Sequence, residues 1–235
     1  MPAPFNPLQA IGMLVHHRPG RGDVGFIGTC FAFRRPDRLL TARHCLGDLP
    51  NSDVVAVLPG VWTRVGIAAI TRHDSADIAI LSTEADHRLP MPFWDFVSNF
   101  ELGEEFFAFG YPEDTFGPSR GGVTPRLFKG YYQRYMTYHS PVSNCSYNAG
   151  EMSIGAPPGI SGGPVFRPGA LPMVTGMVTE NLEATTFLDE VEEVERAGTI
   201  VERRMHRKVI NYGVALLLDS HGEWLADNGV VRPPR

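Results

Sequence analysis

Ser161 stands in the segment Pro158-Gly159-Ile160-Ser161-Gly162-Gly163-Pro164, a single hydroxyl set in backbone flexible enough to aim N–H groups at a developing negative charge. A serine hydroxyl is a poor nucleophile near neutral pH. It needs a base to take its proton during attack, and that base needs a partner to fix its tautomer. Both are available upstream: His44 in Leu39-Leu40-Thr41-Ala42-Arg43-His44-Cys45, and Asp77 at the head of Asp77-Ile78-Ala79-Ile80-Leu81. The chemistry such a set serves is acyl transfer, in which a carbonyl oxygen turns negative and must meet donors. Losing one such donor typically costs on the order of 3 kcal/mol of barrier. The N–H groups of Gly159 and Ser161 are the candidate donors, with glycine at 159 because a side chain there would hinder the turn or the approaching substrate. Gly162 and Gly163 let the chain leave on a tight path. Asp74 is a second acid within reach of His44; the apolar alternation that follows Asp77 marks a strand start and favours Asp77.

The elements that must hold these groups read as strands. Apolar or alternating runs cover 11–16, 25–33, 38–41, 54–58, 61–70 and 78–82, and then 105–110, 124–138, 145–152, 164–166, 173–179 and 212–217. Turn-rich pieces such as Arg18-Pro19-Gly20-Arg21-Gly22-Asp23 separate them. Pro90-Met91-Pro92 and Phe93-Trp94 begin a crossing between two halves, and Asp219 to Ala226 reads as a short terminal helix. The run Tyr131-Tyr132-Gln133-Arg134-Tyr135-Met136-Thr137-Tyr138 alternates as a barrel strand does, which outweighs a nucleic-acid stacking platform. Many short strands with Gly and Pro punctuation give an all-β fold of the sandwich or barrel kind.

The three blocks, in the order His, Asp, Ser, resemble those of the chymotrypsin-fold (trypsin-like) serine proteases, and most of all the compact bacterial branch that includes HtrA-like catalytic domains. The resemblance runs from about Ile11 to about Ala226. It implies two packed six-stranded Greek-key β-barrels with a short C-terminal helix: residues 8–95 carrying His and Asp, and 96–235 carrying Ser, the oxyanion hole and the specificity pocket. It further implies a serine endopeptidase working through an acyl-enzyme intermediate, with His44 as base, Asp77 orienting it, Ser161 attacking, and Gly159 and Ser161 as oxyanion donors. No metal or organic cofactor is expected. The partners implied are a protein or peptide substrate and an activating or inhibitory protein. A partner- or effector-activated protease, and an inactive homologue that only grips peptides, are the alternatives.

The departures from the family pattern carry information. Ile160 stands where secreted digestive relatives have an aspartate that pairs with a new N-terminus after cleavage, and no Ile-Val-Gly-Gly-like sequence is present, so an enzyme without that zymogen switch is expected. Arg43 replaces a small residue beside the histidine, placing a charge that either selects acidic substrate residues or reaches solvent. By resemblance the specificity pocket has its floor at Gly155, followed by Ala156, Pro157 and Pro158, and one wall at Thr179-Glu180-Asn181, whose edge would bond extended substrate backbone. No acid stands at the floor, which removes the usual basis for an Arg or Lys preference and points to a small or apolar side chain. Glu180 is either solvent-facing or turned inward, where it would restore a taste for basic residues. Residues 183–208 form a charged insertion, acidic early and basic late in the manner of a helix with a complemented dipole, although Gly198 interrupts any single helix. It is either a solvated excursion or a lid beside the pocket wall.

A chain of 235 residues, 43% hydrophobic, can bury one large or two small cores. A net charge of -5 without a basic stripe argues against nucleic acid as a partner. The segment Met1-Pro2-Ala3-Pro4-Phe5-Asn6-Pro7 has no charged and then apolar leader pattern and no later run suits a bilayer, so a cytoplasmic location and no membrane association are expected. Three cysteines do not make a disulfide scaffold. Cys30 and Cys45 occupy positions that secreted relatives bridge, and by that resemblance lie close together; Cys145 has no evident mate. His16-His17 lacks a matching ligand set for a metal.

Overall fold

The computed structural model describes residues 6–18, 20–58, 63–84, 93, 95–96, 101–115, 124–167, 173–196 and 199–230, with side chains described at all of these except 22–24, 95–96, 115, 184–196 and 199–209. Six strands close the first barrel: β1 (Ile11–Arg18), β2 (Gly22–Phe33), β3 (Arg35–Thr41), β4 (Val54–Leu58), β5 (Thr63–Arg72) and β6 (Ala79–Thr83), in the spatial order β1-β2-β3-β6-β5-β4. Pairing of β1 with both β2 and β4 shuts the ring. Alternation does the work in β4, whose Val54, Ala56 and Leu58 point inward while Val55 and Val57 are only half-buried.

The second half contains β7 (Asp95–Phe96), β8 (Glu105–Gly110), β9 (Arg126–His139), β10 (Ser146–Met152), β11 (Pro164–Phe166), β12 (Met173–Arg196) and β13 (Thr199–Leu217). Their order is β11-β8-β9-β10-β13-β12-β7, and β11 also pairs with β12, so the strands from β8 to β13 form a second ring with β7 added in parallel along β12. A 3-10 turn at Leu218–His221 and the helix α2 (Gly222–Asp227) end the described chain. The aromatic run lies in β9, with Tyr132 and Tyr138 buried and the residues between them mostly exposed. Pro90, Met91, Pro92 and Trp94 of the expected crossing lie outside the described residues. Phe93 is fully buried, donating its N–H to Ala32 O at 2.9 Å and accepting from Arg34 N at 2.6 Å.

The insertion is neither helix nor irregular loop. β12 and β13 run on past the ring as an antiparallel ribbon, pairing without interruption of direction from Gly176↔Leu217 to Arg196↔Thr199. Its register sets Glu192 opposite Arg204 and Glu193 opposite Arg203. The acid-early, base-late pattern therefore runs along two paired strands, with acidic positions in register with basic ones, and not along one helix axis. Gly198 lies outside the described residues.

Three apolar clusters account for the packing. One fills the first ring around Leu14, Leu39, Leu46, Val65 and Leu81. Another fills the second around Phe106, Tyr132, Met152, Ile160 and Val178. The third joins the halves, bringing Phe31, Phe33, Ile78 and Ile80 against Phe109, Tyr111, Phe166 and Leu216. This shared core fixes the relative placement of Asp77, which directly precedes the buried Ile78 at the entry to β6, and of Ser161, which lies between Ile160 and Val165.

Candidate active site

The one-turn helix α1 (Arg43–Leu46) presents His44 at the seam. Asp77 is wholly buried and holds His44 twice: Oδ1 accepts the His44 backbone N–H at 2.9 Å, and Oδ2 sits 2.7 Å from Nδ1. The first contact fixes the backbone; the second holds the ring by Nδ1 and leaves Nε2 free of the acid. Burial works against a charged imidazole here, but the Asp77 hydrogen bond and the Cys45 sulfur, 3.7 Å from Nε2, outweigh it and push His44 up to about 10. Asp74 is exposed, and its backbone carbonyl accepts from Arg43 instead.

The loop 158–164 brings Ser161 to the same place. Gly159 has φ +93 and Gly162 φ +85, conformations that residues with a side chain rarely adopt. A Cβ on Gly162 would overlap Thr29 O and Thr41 Oγ1, and one on Gly159 would come within 2.7 Å of Tyr111 O and Glu113 N. Among the described residues neither the Gly159 nor the Ser161 N–H is taken by a protein acceptor, whereas Ile160 N bonds Pro157 O at 3.3 Å and Gly162 N bonds Val178 O at 2.8 Å. Two donors are left open. The Cys45 sulfur, 3.7 Å from His44 Nε2, is also 3.7 Å from Ser161 O, so the imidazole and the serine flank one atom. The Ser161 hydroxyl itself donates to Thr179 O at 2.7 Å and makes no bond to His44.

Thr29, which the sequence reading passed over, staples this loop to the first ring. Its N–H donates to Ser161 O at 2.9 Å and its hydroxyl to Gly159 O at 3.0 Å, while that hydroxyl accepts from Tyr111 N at 3.0 Å. Thr41 Oγ1 in turn donates to Thr29 O at 2.8 Å. No spacing rule announces a threonine of this kind; its value lies in one buried side chain reaching both halves.

The expected pocket walls are bridged. Asn181 Oδ1 accepts from Ala156 N at 2.6 Å and Asn181 Nδ2 donates to Ala156 O at 2.5 Å. Gly155 lies against Asn211 O, where an added Cβ would meet it at 3.3 Å. Pro157 and Pro158 line a cavity of about 320 Å3 together with Glu113 and Asp114. Glu180 is half-buried, with Oε1 buried and unpartnered, and its carboxylate adds to burial in pushing Tyr138 up to about 12. It does not simply face solvent. Ile160 is buried in the second core. All three cysteines are free thiols; Cys30 is fully buried with its Sγ 3.5 Å from Gly12 O, and burial pushes its thiol far up. Cys145 Sγ accepts from Arg43 at 3.4 Å. His17, in β1, bonds Arg64 at 3.3 Å.

The trypsin-like peptidase domain matches residues 28–170, more than half of the chain and inclusive of His44, Asp77 and Ser161. This chain belongs to the trypsin-like peptidase family. Among solved structures it is similar to the active form of the Rv3671c protease from M. tuberculosis, at 17% identity and a TM-score of 0.64, over 97% of this chain and 85% of that one. The inactive form of the same protease gives a TM-score of 0.61 at 17% identity, over 95% and 90%. The MamO protease domain from Magnetospirillum magneticum gives 0.60 at 13% identity, over 91% and 94%. At such identities these neighbours speak for the fold. No curated protein matches the chain in sequence. Among the described residues no helix is long and apolar enough to cross a membrane.

Proposed function

We propose that this trypsin-like peptidase is a serine endopeptidase in which Ser161 attacks, His44 is the general base and Asp77 orients it. The observation that carries the reading is the buried Asp77 carboxylate bonded to both the backbone and the ring of His44, beside a serine loop that leaves two N–H donors open. In the acylation step Ser161 Oγ bonds to the peptide carbonyl carbon as its proton passes to His44 Nε2. The oxyanion rests on the Gly159 and Ser161 N–H groups. His44 then returns the proton to the departing amine, and water hydrolyses the acyl-enzyme by the same route reversed.

The resting hydroxyl is bonded to Thr179 O, on the edge where substrate backbone would pair. A substrate N–H that takes this carbonyl releases the hydroxyl to turn toward His44, so engagement of the strand edge and arming of the nucleophile are one event. That observation also supports a second reading, a protease held off until a partner or effector occupies the edge. With Ile160 buried in place of an acid, the reading includes no N-terminal zymogen switch. The Asn181–Ala156 bridge favours a small residue on the acyl side of the scissile bond.

The test is cleavage of an unfolded, dye-labelled protein by wild type and Ser161→Ala. Fragments from wild type alone support the reading. Equal fragmentation by Ser161→Ala contradicts the role of that serine.

A further inference from the structure

Beside His44 the turn of α1, the end of β5 and the turn between β9 and β10 enclose a cleft of about 220 Å3, lined by Arg43, Arg72, Ser143, Asp48, Val142 and His44 itself. Arg43 Nη1 donates to His73 O at 3.0 Å, Asp74 O at 3.2 Å and Cys145 Sγ at 3.4 Å. Arg72 donates from Nε to Gly47 O at 3.1 Å and from Nη2 to Leu49 O at 2.7 Å. Every one of these acceptors is uncharged. Among the described residues neither guanidinium has a carboxylate partner, and each retains N–H donors: Nε and Nη2 on Arg43, Nη1 on Arg72.

Both arginines are half-buried and their guanidinium groups are already held by backbone carbonyls, so a ligand that bonds them need not first order them. The Ser143 hydroxyl in the same lining is buried without any partner, an arrangement that is unfavourable until something supplies the missing bond. Asp48 is the one acid in the lining; it is exposed and pairs with neither arginine. The cleft thus offers two fixed positive charges and one unused hydroxyl against a single outward carboxylate, directly beside the imidazole over which substrate must lie.

We propose that this cleft is a subsite for an acidic side chain, Asp or Glu, close to the scissile bond of the peptide. Its carboxylate would take the free N–H groups of Arg43 and Arg72 and the hydroxyl of Ser143. The inference rests on the reading of Ser161 and His44 given above and assigns that site its substrate class.

The test measures how hexapeptide pools protect Ser161 from a small fluorophosphonate, followed by intact mass. In each pool one position is fixed as Glu or as its uncharged isostere Gln. Glu at one position should protect at roughly tenfold lower concentration than Gln, the scale of a charge-assisted bond. In Arg43→Gln/Arg72→Gln that ratio should fall to about 1. The Glu-to-Gln ratio is read within each protein, so a change in intrinsic labelling cancels. Should the double variant not fold, Arg72→Gln and Ser143→Ala, each removing one contact, should lower the ratio singly. Labelled wild type with equal protection by Glu and Gln pools, or a Glu preference that survives the variants, overturns the acid subsite and leaves the nucleophile standing. Absence of wild-type labelling, both alone and with peptide on the 179–181 edge, overturns the nucleophile reading and the subsite with it.

Discussion

Asp77→Asn is the substitution on which the chemistry of the site turns. The side chain is isosteric, and its Oδ1 can still accept the His44 backbone N–H, now at 2.9 Å, so the fold should survive. What changes is the atom 2.7 Å from His44 Nδ1. An amide NH2 there donates to Nδ1, drives the ring proton onto Nε2 and leaves no acceptor for the serine proton. The lost charge-assisted bond is fully buried and worth about 1.5–3 kcal/mol, and the wrong tautomer adds to it. Together they correspond to the roughly 10^4-fold slowing known for this change in a Ser-His-Asp triad, about 5 kcal/mol of barrier. The assay is the second-order rate of fluorophosphonate labelling at Ser161 by intact mass, with Asp74→Asn as control because Asp74 is exposed and bonds only through its backbone. A second readout is stability against pH. His44 titrates near 6.5 when unfolded and near 10 in the fold, so the folded state binds more protons between those values and wild type loses stability as pH rises through that window. In Asp77→Asn the largest upward pull on His44 is gone, and this decline should disappear. A folded Asp77→Asn that labels within tenfold of wild type, or an Asp74→Asn that falls as far, would refute the reasoning.

Cys45→Ala removes the sulfur 3.7 Å from Nε2 that helps raise His44; the pH at which labelling becomes half-maximal should move down, and an unmoved profile would count against the contact. Thr29→Val strips the hydroxyl that bonds Gly159 O and Tyr111 N, leaving one part-buried and one buried partner unmet, the buried one at about 1–3 kcal/mol. Thermal melting should show a drop of roughly 5–15 °C for a chain of this size, with Thr29→Ser recovering most of it. Asn181→Gly opens the bridge to Ala156, and peptides with bulky residues on the acyl side should gain relative to Ala peptides in competition kinetics.

The rings were legible because their strands are short apolar or alternating runs: β4 at 54–58 and β8 at 105–110 have the ends that their apolar patterning gives. The site blocks stood out because turn glycines and an aspartate just ahead of an apolar strand leave local marks. Other features depend on contacts between segments far apart in the chain. Thr29 acts at positions 159 and 161, across the seam, and nothing at 28–30 signals it. The cleft of Arg43, Arg72 and Ser143 joins three separate stretches; of these only Arg43 drew attention, as a charge out of place. The 183–208 segment misled because charge periodicity alone does not distinguish a dipole-complemented helix from a ribbon whose two strands face each other; the pairing of Glu192 with Arg204 decides it.

The central claim is that Ser161 is a nucleophile armed by His44, and covalent labelling addresses it most directly. Purified protein treated with a fluorophosphonate, alone and with peptide to occupy the 179–181 edge, is weighed intact beside Ser161→Ala and His44→Ala. The account predicts one adduct on wild type, none on Ser161→Ala and strongly slowed formation on His44→Ala. An adduct that persists in Ser161→Ala, or a folded wild type that never labels under either condition, would contradict it.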